Sequence, residues 1–189
     1  MIKRRIRQWL GGSPAGGDSA VHTRVLMVCM GNICRSPTAE GVLRAKLRRA
    51  GLGGRVVVDS AGTIDSHAGE APDARAIARA AARGYDLSAL RARAVVAEDF
   101  ERFDWLLAMD DDNLAWLRKR APAGAAERCA LLLPFAGLQV EPLQVPDPYY
   151  GSAAGFERVL DLLEQACDPL VARWASAAPP ARPSGPGNA

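Results

Sequence analysis

Cys29 and Arg35 stand six positions apart, with Gly31, Asn32, Cys34 and Ser36 between and beside them. A thiol is the strongest nucleophile among the side chains at neutral pH, but only as thiolate, and nearby positive potential favours that form. A guanidinium offers a planar fork that grips two oxygens of a tetrahedral oxyanion, where a lysine would act as a point charge. Together the two residue types suit transfer of a phosphoryl group to sulfur.

Spacing alone is weak evidence in a chain with 24 basic residues, and Cys167 and Arg173 repeat it inside a stretch with helical periodicity. Context separates the pairs. Val25, Leu26, Met27 and Val28 form an apolar run of the kind expected in a buried parallel strand, so Cys29 falls at a strand end. Gly31 and Asn32 tolerate tight-loop backbone angles, and Ser36 followed by Pro37 reads as an N-cap with proline at the first helical position. Ala39, Val42, Leu43, Leu47 and Ala50 supply one face of the helix that follows, to about Ala50. A loop wrapped before a helix N-terminus turns its amide N–H groups inward and adds the helix dipole, which makes an anion cradle of residues 29–36. A cysteine there can also be an inert packing thiol, yet the glycine, asparagine, arginine and serine around it are not what a core requires.

The wider pattern alternates strand and helix. Strands are predicted at 24–28, 55–59, 105–109 and 127–133, with a shorter one at Val95 and Val96. Helices are predicted at 73–83 ending on Gly84, from a cap at Asp111 or Asp112 to Lys119, and from a cap at Ser152 through the final stripe of Phe156, Val159, Leu160, Leu163, Leu170 and Trp174. That order implies an α/β fold with a parallel sheet covered on both faces, where ligands bind beyond the carboxyl ends of the strands.

A second chemical element lies 118 residues beyond Cys29. Displacing a phenolic oxygen from phosphorus requires a proton donor, and Asp147, between Pro146 and Pro148 and followed by Tyr149 and Tyr150, is the best placed carboxylate. The prolines stiffen its loop and the tyrosines offer a wall for an aromatic substrate.

Composition bounds the rest. The chain of 189 residues holds one ordinary domain with tails: a basic extension and Gly/Ser-rich linker over 1–22, a folded unit over 23–176, and a disordered Pro/Gly-rich tail over 177–189. No run approaches the ~18 apolar residues of a membrane span, and Met1 to Leu10 lacks the apolar centre of a signal peptide, so a cytoplasmic protein is expected. The net charge of +3 is carried entirely by residues 1–20, leaving no basic face for nucleic acid. Four cysteines fit a reducing compartment rather than a disulfide scaffold, and two histidines without paired spacing point to no metal. Cys129 and Cys167 read as core residues.

Four separated segments resemble the low-molecular-weight protein tyrosine phosphatases: Val28 to Pro37, Asp59 to Thr63, Ala108 to Asp110, and Asp147 to Tyr150. The resemblance covers roughly residues 23–173. It implies a single domain with a four-stranded parallel sheet and helices on both faces, and a metal-free, cofactor-free reaction in two steps. By that resemblance Cys29 forms a cysteinyl-phosphate, and Arg35 with the N–H groups of Met30, Gly31, Asn32, Ile33 and Cys34 holds the phosphoryl oxygens. Asp147 serves as general acid, Ser36 donates to the Cys29 sulfur, and Asn32 with Ser60 keeps the loop in shape. The implied partner is a phosphotyrosine protein, in bacteria often a tyrosine kinase, acted on by a monomer.

Two positions depart from the family. Ser66 stands where an aromatic often precedes the histidine matching His67, which thins one cleft wall. Leu90 stands where a histidine often occurs, which would leave the loop network one member short. The same cradle serves arsenate reductases, which need a further accessible cysteine, whereas here the next after Cys34 is Cys129 in an apparent strand. A phospho-binding module without catalysis is the third reading. Cys34, five residues from Cys29, is a potential disulfide partner that would shield the nucleophile from over-oxidation.

Overall fold

The computed structural model describes residues 23–177. The predicted N-terminal extension, its basic cluster and most of the C-terminal tail lie outside the described residues. Four parallel strands, β1 (Thr23–Cys29), β2 (Val56–Gly62), β3 (Trp105–Ala108) and β4 (Cys129–Leu131), form one sheet in the order β2-β1-β3-β4. The helices are α1 (Arg35–Arg49), α2 (Ala74–Ala82), α3 (Asp99–Arg102), α4 (Asp111–Arg120), α5 (Leu132–Phe135) and α6 (Ala153–Ser176).

Side-chain alternation along β1 divides the interior in two. Val25, Met27 and Cys29 face a core shared with α1, α5 and α6, whereas Leu26 and Val28 face a second core built on α3 and α4. A strand buried on both faces must be apolar throughout, which accounts for the unbroken run the sequence shows. Leu26, Met27, Leu106 and Leu107 are wholly inaccessible, and burial of each stabilises the fold by roughly 2 kcal/mol.

Register brings the carboxyl ends of the strands to one rim. Cys29 pairs with Gly62, and Val28 with Ala108, so the chain leaves β1, β2 and β3 at the same level. Gly62 is packed against the loop leaving β1: a Cβ there would stand 2.6 Å from the Met30 carbonyl oxygen and 3.1 Å from the Gly31 carbonyl carbon. The requirement is for close backbone approach.

Several local expectations are corrected. Helix α1 begins at Arg35 with Cys34 as its cap residue, and no side chain caps it. Ser36 is inside the first turn, where its hydroxyl bonds the Cys29 sulfur instead. Asp110, not Asp111 or Asp112, caps α4 by accepting from Asn113 N–H. Ser152 holds the cap position of α6 without a side-chain bond. Val95 and Val96 form no strand; an isolated bridge joins Gly62 to Ala94. The predicted strand at 127–133 shrinks to three residues between short helical turns. Asp73 does cap α2, and Gly84 with φ of 80° follows its end.

Candidate active site

Between the end of β1 and the start of α1 the chain folds into a loop whose turning point is Asn32, with φ of 55°. This is a left-handed conformation, costly for most residues and least so for asparagine. Partners on every side hold it there. The Asn32 amide N–H points at the Cys29 sulfur at 3.3 Å. Its side-chain Nδ2 donates to Ser36 Oγ at 2.8 Å and to Ser60 Oγ at 2.9 Å, while its Oδ1 accepts from Arg93 N–H at 2.9 Å. The Cys29 sulfur and Ser36 Oγ are 3.0 Å apart.

The Asn32 side chain is thus fully bonded without any contribution from residue 90. Leu90 packs partly buried against the α1 core, so the member expected to be missing is supplied by the Arg93 backbone and by Glu40. Glu40 is 3% exposed, accepts from Ser60 Oγ at 2.6 Å and pairs with Arg44 at 2.5 Å. Burial pushes its carboxyl above the ordinary range, against the opposing effects of Ser60 and Arg44.

Arg35 is buried and occupies the centre of the site. One guanidinium nitrogen donates to Asp110 at 2.6 Å and to the Val145 carbonyl at 3.2 Å, and the other donates to Asp147 at 2.8 Å. Burial works against its charge, but Cys29, Asp110 and Asp147 more than offset that, so the guanidinium is held above its ordinary range. Register explains the Asp110 contact, since that residue leaves the rim just after β3.

A cleft of about 230 Å³ opens above the loop. Its lining includes Cys29, Met30, Gly31, Ile33, Cys34, Arg35, Asp147, Tyr149 and Tyr150, all singled out from sequence, together with Ile64 and His67. Asn32, Ser36 and Ser60 lie buried beneath it. Ser66 is exposed and contributes nothing to the lining, so Ile64 and His67 form that wall. Tyr149 and Tyr150 meet edge to face at 4.9 Å, with Tyr150 98% exposed.

Sequence reasoning did not assign roles to Asp110, Glu40, Arg93 or the Val145 carbonyl. Asp110 alone carried a usable signal, a carboxylate directly after an apolar strand. The decoy pair behaves differently from the loop pair: Cys167 is fully buried within α6, and Arg173 donates to the Phe135 carbonyl and stacks on that ring. Cys129 lies in the α3–α4 core, away from the side of the sheet that Cys29 faces.

Residues 24–178 match the sequence model of the family described as low molecular weight phosphotyrosine protein phosphatase. The chain belongs to this family. Among its relatives, the low molecular weight protein-tyrosine-phosphatase of Streptomyces coelicolor is 44% identical over 151 residues, covering 79% of this chain and 92% of the relative. Low molecular weight phosphotyrosine protein phosphatase 2 of Drosophila melanogaster is 42% identical over 152 residues, or 80% of this chain and 92% of that one. The crystal structure of a protein tyrosine phosphatase from Entamoeba histolytica with Hepes in its active site superposes with a TM-score of 0.76 at 39% identity, over 80% of this chain and 96% of that one. The four-stranded parallel sheet is that of the low-molecular-weight phosphatases, which are hydrolases.

Proposed function

We propose that this low-molecular-weight phosphatase hydrolyses phosphotyrosine in proteins through a cysteinyl-phosphate, with Cys29, Arg35 and Asp147 as its catalytic residues. The observation that carries this reading is the convergence of the Cys29 sulfur, the Arg35 fork and the Asp147 carboxylate on one cleft. In the first step sulfur attacks phosphorus as the bond to the phenolic oxygen breaks, and protonated Asp147 delivers its proton to that oxygen. In the second, water attacks the cysteinyl-phosphate, Asp147 takes a proton from it, and inorganic phosphate leaves as the thiolate is restored. The amide N–H groups of residues 30–35 and the Arg35 fork face the charge that builds on the phosphoryl oxygens. Ser36 Oγ, 3.0 Å from the sulfur, stabilises the departing thiolate.

Tyr149 and Tyr150 form the wall for the substrate ring. The partner is a phosphotyrosine protein, a bacterial tyrosine kinase among the classes to test, and the enzyme works as a cytoplasmic monomer. Among the described residues no helix is long and apolar enough to cross a membrane. Cys34 serves as a redox partner: peroxide converts the Cys29 thiolate to a sulfenic acid, and the Cys34 thiol condenses with it, releasing water and forming a disulfide.

Acid-quenched turnover of an aryl phosphate labelled at phosphorus tests the central claim. Label should remain on the Cys29 peptide, and Cys29→Ser should lose both label and turnover. Turnover retained in Cys29→Ser would sink the reading. A pull-down with Asp147→Ala, read for phosphotyrosine proteins, identifies the partner.

A further inference from the structure

Asp147 belongs to a segment without helix or strand, and its side chain is 45% exposed. Upstream the segment is pinned where Val145 N–H donates to the Met109 carbonyl at 2.8 Å. Two bonds orient the carboxylate: Oδ2 accepts from Arg35 at 2.8 Å, and Oδ1 accepts from Tyr149 N–H at 3.0 Å. In the reaction proposed above, the phosphoryl group takes over the Arg35 fork. The Tyr149 N–H is then the remaining hold on the acid, so the position of Tyr149 decides where the proton is delivered.

Tyr149 is itself held by a residue outside the cleft. Arg75, in the first turn of α2, donates to the Tyr149 carbonyl at 3.0 Å and reaches the Gly151 carbonyl at 3.4 Å. Its guanidinium is clamped on Asp73 at 2.7 and 3.0 Å and lies over the Phe156 ring at 4.6 Å and the Tyr149 ring at 5.9 Å. Asp73 is tied in turn to the phosphate loop, because its N–H donates to the Ile33 carbonyl at 2.8 Å. One side chain therefore links the acid segment to the loop that carries the nucleophile.

We propose that Arg75 is a positioning residue for the acid, holding the 147–151 segment at a set distance from the phosphate loop through Tyr149 and Gly151. This rests on the reading of Asp147 as the proton donor. A residue that merely stabilises α2 would affect all substrates alike. One that places the acid matters most where the leaving oxygen is basic, because p-nitrophenolate departs with little protonation and phenolate does not.

The test compares kcat/KM for phenyl phosphate and p-nitrophenyl phosphate in the wild type, Arg75→Ala, Arg75→Lys, Asp147→Ala and the double variant Arg75→Ala/Asp147→Ala. Arg75→Ala should lose about tenfold on phenyl phosphate, a fraction of the full general-acid effect, and less than about threefold on p-nitrophenyl phosphate. Arg75→Lys, which keeps the charge but not the fork, should fall between. The double variant should be no slower on phenyl phosphate than Asp147→Ala, since both changes act on one proton transfer. Equal losses on the two esters, or additive losses in the double variant, overturn the proposal. Arg75→Gln, which keeps its stem over Phe156, provides the same ratio if the alanine variant fails to fold. Wild type inactive on both esters would instead remove the reading of Cys29 and Asp147.

Discussion

Arg35 and Asp147, far apart in sequence, meet through a 2.8 Å bond between a guanidinium nitrogen and a carboxylate oxygen. The same guanidinium serves Asp110 and the Val145 carbonyl, so it acts as a hub with three protein acceptors arranged around a planar fork. Lysine has no such fork. Arg35→Lys is expected to lower kcat/KM by about 10²–10³, the scale for removing an oriented oxyanion donor. Steady-state kinetics on an aryl phosphate decide it, and a loss within threefold would count against the hub.

Asp110 has two duties, one for each carboxylate oxygen: it orients Arg35 and caps α4. Asparagine caps about as well but brings no charge to Arg35. Asp110→Asn should therefore lower kcat/KM about tenfold with little change in melting temperature. Asp110→Ala should lose the activity and in addition about 1 kcal/mol of stability. Equal melting temperatures for the two variants would show that the cap is immaterial.

Glu40 makes stability depend on pH in a direction opposite to that of most carboxylates. Its pKa in the folded chain lies above the ordinary range because of burial, so the folded state favours its protonated form. That contribution is fully present below the unfolded pKa, about 4.3, and is lost as pH rises through the folded value. Glu40→Gln retains an oxygen for Ser60 and cannot ionise. Urea unfolding should find the variant more stable than wild type at pH 7, with the gap narrowing at pH 4. A gap that widens on acidification would reverse the assignment.

For Cys34, burial first, then the charges of Asp73, Cys29 and Asp147, push the thiol up to about 12. It is then protonated at neutral pH. In Cys29→Ser, alkylation of Cys34 by iodoacetamide should be slow at pH 7 and rise about tenfold per pH unit, following the thiolate fraction. Peptide mapping reads it directly; a rate independent of pH between 7 and 9 contradicts the prediction.

Gly62→Ala places a methyl group against backbone that cannot step aside as a side chain could. The loop leaving β1 must shift, at a cost of about 1–3 kcal/mol. Inorganic phosphate should inhibit the variant more weakly than wild type, and its melting temperature should fall. Unchanged inhibition would mean that the loop tolerates the displacement.

The parts legible in sequence are those whose signal is local. An apolar run, turn residues and a helical stripe place β1, the loop and α1, and the flanking prolines and tyrosines mark Asp147. What escaped depends on residues distant in the chain. Ser36 has the composition of an N-cap, yet the sulfur seven residues earlier is its partner, and no propensity scale contains that contact. Glu40 resembles a surface residue of an amphipathic helix, and only the approach of Ser60 on β2 makes it a buried acceptor. Leu90 reads as a gap in a network because the Arg93 amide that fills the place carries no side-chain signature. Alternation implies the parallel sheet and the family resemblance its four strands, whereas β4 is shorter than its apolar run because Leu132 and Leu133 belong to the helical turn that follows.

Strand β1 lies between β2 and β3 and is buried on both faces from Val25 to Cys29, feeding both halves of the interior, and Cys29 is its last residue. Exposing the backbone of β1 to solvent would require both halves to come apart together. Amide hydrogens of Leu26, Met27 and Val28 should then exchange with deuterium only through global unfolding, among the slowest in the molecule, while those of residues 147–151 exchange through small local openings. On that expectation the nucleophile is anchored in a unit that opens only globally and the proton donor in a segment that opens locally, so mild denaturant should erode proton delivery well before it disturbs the sulfur.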